Sequence, residues 1–111
     1  MSSTVPSPLP GGSFDPRTLV EYAPGAIVSR VIAKTPHGNV TLFAFDAGQE
    51  LSEHTTPFHA LVQILDGAAR IAIGGVAHDV AAGSAIMMPA GIPHAVAAPV
   101  RFMMLLTMLK D

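Results

Sequence analysis

The sequence predicts an all-β domain, and three observations carry that reading. Turn residues recur at roughly 8–12-residue spacing, the mark of a sandwich or barrel. The runs between them are rich in Val, Ile, Leu, Phe and Thr. No window holds an amphipathic helical period long enough to survive the Gly and Pro that interrupt it. The 111 residues are one domain's worth of chain, half of them apolar and only 13% charged, so a core is readily built.

Residues 1–13 open with a Ser/Pro/Gly segment that cannot bury enough apolar surface to offset ordering, and a flexible arm is expected there. A single barrel domain is expected over 14–111. Pro24-Gly25 precedes a first strand, Ala26–Thr35, and the turn around His37-Gly38-Asn39 leads to a second, Val40–Asp46. Ala47-Gly48 then introduces Leu51–Thr56, and Pro57 separates it from Ala60–Leu65. Asp66-Gly67 and Gly74-Gly75 supply the positive φ of two-residue hairpins, around Ala68–Ile73 and before Val76–Val80. Ser84–Met88, His94–Ala98 and Arg101–Leu109 complete nine expected strands.

The last strand has almost no polar alternation, so both of its faces need cover. One face belongs to the core. For the other, a homodimer is the favoured cover, with the N-terminal strand exchanged between subunits as one form of it. The alternative is the chain's own segment Arg17–Tyr22 folding over it. Met87, Met88, Met103, Met104 and Met108 read as core or interface filler rather than a sulfur metal site.

The segment Gly83-Ser-Ala-Ile-Met-Met-Pro89-Ala-Gly91-Ile-Pro-His94 resembles the second sequence motif of the cupins: glycine, five residues, proline, one, glycine, two, histidine. The resemblance implies a jelly-roll barrel, a double-stranded β-helix, with His94 aimed into its interior. Upstream, Gly48, His54 and Gly67 stand where the first cupin motif has glycine, histidine and glycine. Cupins with a full metal site carry a second histidine and a glutamate between them. Here those positions hold Thr56 and Ala60.

Two imidazoles, His54 and His94, therefore remain at the family's ligand positions. Without a carboxylate they form an incomplete site for iron, manganese or zinc. By strand alternation Glu50 shares the face of His54 but lies about 13 Å away, too far to join it. Glu53 and Gln63 point elsewhere. His59 is one residue off the ligand position. Pro57-Phe58 could bend the chain enough to bring it into the pocket as a third ligand; otherwise it is a surface or dimer-contact residue. His37 and His78 are expected in solvent. The pocket set is thus His54, Thr56, His59, Ala60 and His94.

The favoured function is binding of a small organic molecule in the barrel pocket with little or no metal. One alternative is a metal-dependent enzyme, an oxygenase, isomerase or lyase, that holds one divalent transition metal on His54 and His94. Another is a dimeric structural module. Apolar pocket walls are expected among Phe43, Phe45, Val62, Ile64, Ile86 and Met88.

Other classes are thin. The six basic residues are scattered, so no footprint for nucleic acid exists. No apolar run is long enough for a membrane helix, no secretory signal opens the chain, and cysteine is absent; a soluble cytoplasmic protein is expected. No nucleophile elbow surrounds Ser29, Ser52 or Ser84. Gly74-Gly75 is not a phosphate loop, because no helix follows it.

Overall fold

A computed structural model describes residues 11–110. The arm expected over 1–13 therefore lies, up to residue 10, outside the described residues. The nine strands are β1 (Ile27–Thr35), β2 (Gly38–Phe45), β3 (Glu50–His54), β4 (His59–Asp66), β5 (Ala68–Ile73), β6 (Val76–Ala81), β7 (Ala85–Met88), β8 (His94–Ala97) and β9 (Phe102–Leu109). Each overlaps one expected strand, and the one helical element among the described residues is a 3-10 turn at Pro16–Thr18. None of them is a helix long and apolar enough to cross a membrane.

The strands form two antiparallel sheets, one in the order β1-β2-β9-β4-β7 and the other β3-β8-β5-β6. Neighbours in each sheet are mostly distant in sequence, the jelly-roll arrangement. Between the sheets lies the main core, with Phe45, Val62, Ile64, Ile71 and Phe102 almost completely buried. Phe45 and Phe102 face each other with ring centroids 4.5 Å apart, close to parallel. Gly67 has to be glycine where the chain leaves β4 of one sheet for β5 of the other, a crossing between sheets and not the two-residue hairpin expected at Asp66-Gly67. Its φ is +70°, and a Cβ there would collide with the Arg101 carbonyl.

Alternation in β9 sends Phe102 and Met104 to the main core. Met103 and Leu105 face outward, where they meet a second cluster of Leu19, Val20, Tyr22, Leu42 and Ala44. The chain's own N-terminal segment thus covers this part of β9, which was the alternative to a partner subunit. That segment is irregular beyond the Pro16–Thr18 turn rather than a strand. Asp15 starts the turn by accepting a 3.0 Å hydrogen bond from the Arg17 amide. Tyr22 fastens its far end, donating a 2.6 Å hydrogen bond to the Asp66 carboxylate while the Arg101 guanidinium lies 4.6 Å above its ring. Farther along the same outer face, Leu109 and Met87 stay half exposed.

Candidate functional site

The site is built on a bulge. In the β3–β8 pair Leu51 faces Val96, and His54 faces His94, so three steps along β3 match two along β8. The extra residue in β3 reverses its alternation and turns His54 onto the face of Leu51. Simple alternation had placed Glu50 with His54. The bulge overturns that: Glu50 is exposed and borders a depression on the outer face of the four-stranded sheet, with Arg70. His94 reaches its place through the Pro89–Gly91 turn, where Gly91 has a φ of +77° and donates its amide to the Thr56 carbonyl at 2.9 Å. The Gly74 amide, bonded to the Pro93 carbonyl at 2.8 Å, fixes the chain just before His94.

The two imidazoles meet edge to face, ring centroids 4.3 Å apart, with their Nε2 atoms 3.1 Å from each other. Each ring is held from behind in the same way. Nδ1 of His54 lies 2.8 Å from the Ser52 carbonyl oxygen, and Nδ1 of His94 lies 3.3 Å from that of Ile92. A carbonyl only accepts, so each Nδ1 that makes this bond must carry the proton. With both bonds made, the neutral pair would aim two Nε2 lone pairs at one another. The metal-free pair relieves this if His94 shifts its proton to Nε2 and donates to His54, surrendering the longer contact to Ile92.

His94 is buried and His54 is exposed. Burial holds the His94 imidazole below the ordinary histidine range; the Ile92 carbonyl opposes the shift, and the neighbouring His54 adds to it. A neutral ring keeps one nitrogen lone pair available.

Around this pair is a pocket of about 160 Å³. Thr56 and Ala60 are on its wall with His54 and His94, and the rest of the lining is apolar: Phe43, Leu51, Met88, Val96, Met104, Leu106 and Met108. Thr56 accepts a 3.2 Å hydrogen bond from the Phe58 amide, so its hydroxyl already stabilises the turn into β4. Of the expected walls, Phe43 and Met88 line the cavity, whereas Phe45, Val62 and Ile64 lie in the core and Ile86 packs against it.

His59 is not among the lining residues. On β4 the alternation that buries Ala60 turns His59 to the outer face, opposite Leu109, where Nδ1 accepts a 3.3 Å hydrogen bond from the Ala90 amide. Pro57-Phe58 does not re-aim it, and its role is to brace the Pro89–Gly91 turn from outside. His37 and His78 are exposed. Leu51, Val96, Met104, Leu106 and Met108 escaped the sequence reading as pocket walls. The inward parity of β9 becomes legible once Phe102 is known to start it, but Leu51 is hidden by the bulge.

The full metal site of the cupins does not fit these residues. Among the described residues no group of three or more His, Cys, Asp or Glu side chains comes together. Two neutral nitrogens in an apolar cavity leave a divalent charge uncompensated.

Comparison with known proteins agrees with the fold. The model of the cupin domain matches residues 41–108. No curated protein matches. A conserved protein of unknown function from Streptococcus pyogenes is 35% identical, superposes with a TM-score of 0.89, and the match covers 99% of this chain and 96% of that one. A cupin superfamily protein from Desulfitobacterium hafniense is 31% identical at a TM-score of 0.81, over 85% of this chain and 86% of its own. A cupin 2 conserved barrel domain protein from Leptotrichia buccalis is 38% identical at 0.82, over 85% of this chain but 46% of its own length. With its motifs, its two-sheet barrel and these matches in agreement, the chain belongs to the cupin family.

Proposed function

We propose that this cupin binds a small organic molecule in its barrel pocket without a resident divalent metal. The observation that carries the reading is the pocket's character: about 160 Å³, walled by apolar side chains apart from the His54–His94 pair and Thr56, whose hydroxyl is engaged by the Phe58 amide. A dry apolar cavity of about 150 Å³ accommodates a molecule the size of benzene. The ligand is therefore compact, with an apolar body and one hydrogen-bonding group turned to the imidazoles.

A second reading, a divalent-metal enzyme on His54 and His94, draws support from the carbonyl contacts at both Nδ1 atoms. Metal-bound histidines donate their second N–H in this way. The third, a structural module, would retain only a pairing of two copies over the strip that holds Leu109 and Met87.

Thermal denaturation separates the three, since whatever binds the native state alone must raise its melting temperature. With chelator present, a panel of small phenols, alcohols and carboxylic acids is expected to contain stabilising members. Stabilisation by Fe²⁺, Mn²⁺, Ni²⁺ or Zn²⁺ alone would transfer the case to the enzyme. No response to any compound or metal, together with a dimer in sedimentation velocity, would leave the structural module.

A further inference from the structure

Ala60, standing where the family's glutamate would be, is flanked on both sides: it pairs with Met88 on β7 and with Met108 on β9. Met104 is on the same face of β9 as Met108, four residues away. All three line the cavity that also holds His54 and His94. The position that lost its oxygen donor is thus bordered by thioethers.

From this we propose that the pocket is a site for a soft monovalent metal, Cu(I), bound by Nε2 of His54 and His94 and by thioether sulfur from Met88, Met104 or Met108. Four observations converge on it. The two Nε2 atoms, 3.1 Å apart, have the separation of neighbouring ligands on one ion with metal–nitrogen bonds of about 2.0–2.1 Å. The Ser52 and Ile92 carbonyl oxygens lie 2.8 and 3.3 Å from the two Nδ1 atoms, placed to accept from Nδ1–H of both rings, and in that tautomer the Nε2 lone pairs that would otherwise repel converge on the ion. Thioether and imidazole donors without carboxylate select Cu(I) over the harder divalent ions. Finally, the cost of placing an ion in an apolar cavity grows with the square of its charge, so a monovalent ion meets about a quarter of the penalty of a divalent one.

This goes beyond the small-molecule reading and does not depend on it: the two share a cavity but not a ligand. An ion would occupy its imidazole end, and an organic molecule that needs the same nitrogens would compete with it.

The test is an anaerobic titration of the untagged full chain with Cu(I) against bicinchoninate, with Ag(I) as an air-stable probe. One Cu(I) per chain is expected, held against the chelator, while Zn²⁺ and Mn²⁺ show no comparable affinity. X-ray absorption at the copper edge should show both sulfur and nitrogen neighbours. The double variant Met88→Leu/Met108→Leu conserves volume and apolarity. It should lose at least tenfold in Cu(I) affinity if either sulfur is a ligand, and the triple variant adding Met104→Leu should lose the sulfur signal entirely.

The proposal is overturned if the triple variant binds Cu(I) as the wild type does, if the copper neighbours are nitrogen alone, or if Zn²⁺ binds equally well. Failure of the organic panel under chelator would sink the small-molecule reading and leave the copper titration untouched.

Discussion

On the four-stranded sheet, the pocket wall carries both imidazoles, His54 and His94 at paired positions of β3 and β8. Across the cavity the five-stranded sheet presents Phe43, Ala60, Met88, Met104, Leu106 and Met108, with no ionisable group. The two sheets also differ in what lies behind them. Behind the five-stranded sheet, Leu19 and Val20 bury a second cluster. Behind the other, Glu50, Arg70 and Asp79 face solvent, and Arg70 and Asp79 form an exposed 3.1 Å ion pair. A sheet packed on both faces can carry most of the stability, which leaves the other free to hold polar groups at the pocket.

That division can be broken from the five-stranded side first. Phe102 is fully buried and stacks on Phe45 from the neighbouring strand. Phe102→Ala should cost about 3–5 kcal/mol, the sum of lost burial and the cavity left behind. Urea denaturation followed by circular dichroism measures it. A loss below about 1 kcal/mol would show that the five-stranded sheet does not carry the core. His54→Ala, on an exposed ring, is the matched change on the other sheet and should stay within about 1 kcal/mol.

The difference between the sheets also explains what was legible in the sequence. The strands were, because each has its own composition between turns stated in local chemistry. Gly74-Gly75 makes the β5–β6 hairpin, whereas Asp66-Gly67 marks a turn that crosses from one sheet to the other, since turn chemistry does not name the strand's partner. His54 and His94 were legible as motif positions, and Thr56 and Ala60 as their departures. Three things were not. The bulge between Leu51 and His54 leaves no local signature, so alternation carried through it put Glu50 on the wrong face. His59 lies on a regular stretch of β4, where alternation outweighs the neighbouring Pro57, and the re-aiming allowed for in the sequence does not occur. The cover of β9 was narrowed to a partner subunit or Arg17–Tyr22 and no further, because the packing of Leu19 and Val20 on Met103 and the Tyr22–Asp66 bond that fastens the segment are long-range contacts no local pattern encodes.

The remaining prediction asks whether the apolar wall is what keeps divalent metals out. Ala60 is buried on the pocket face between Met88 and Met108, and its place in the first motif is that of the missing carboxylate. Ala60→Glu would add an oxygen donor facing the two imidazoles, giving two histidines and one carboxylate, the ligand set of non-haem Fe(II) sites. Without metal, the new carboxylate loses hydration in an apolar cavity, and the variant should be less stable than the wild type by about 1–3 kcal/mol. With Fe²⁺, Mn²⁺ or Zn²⁺ the penalty should reverse, because the ion compensates the charge: at a hundredfold excess over its dissociation constant the gain is about 2.7 kcal/mol. The wild type should show no such rescue. Melting temperatures of both proteins with and without each ion read the effect directly. A variant that folds, remains destabilised and gains nothing from any divalent ion would mean that position 60 does not address the imidazoles, and the contrast between the two walls would then owe nothing to the lost carboxylate.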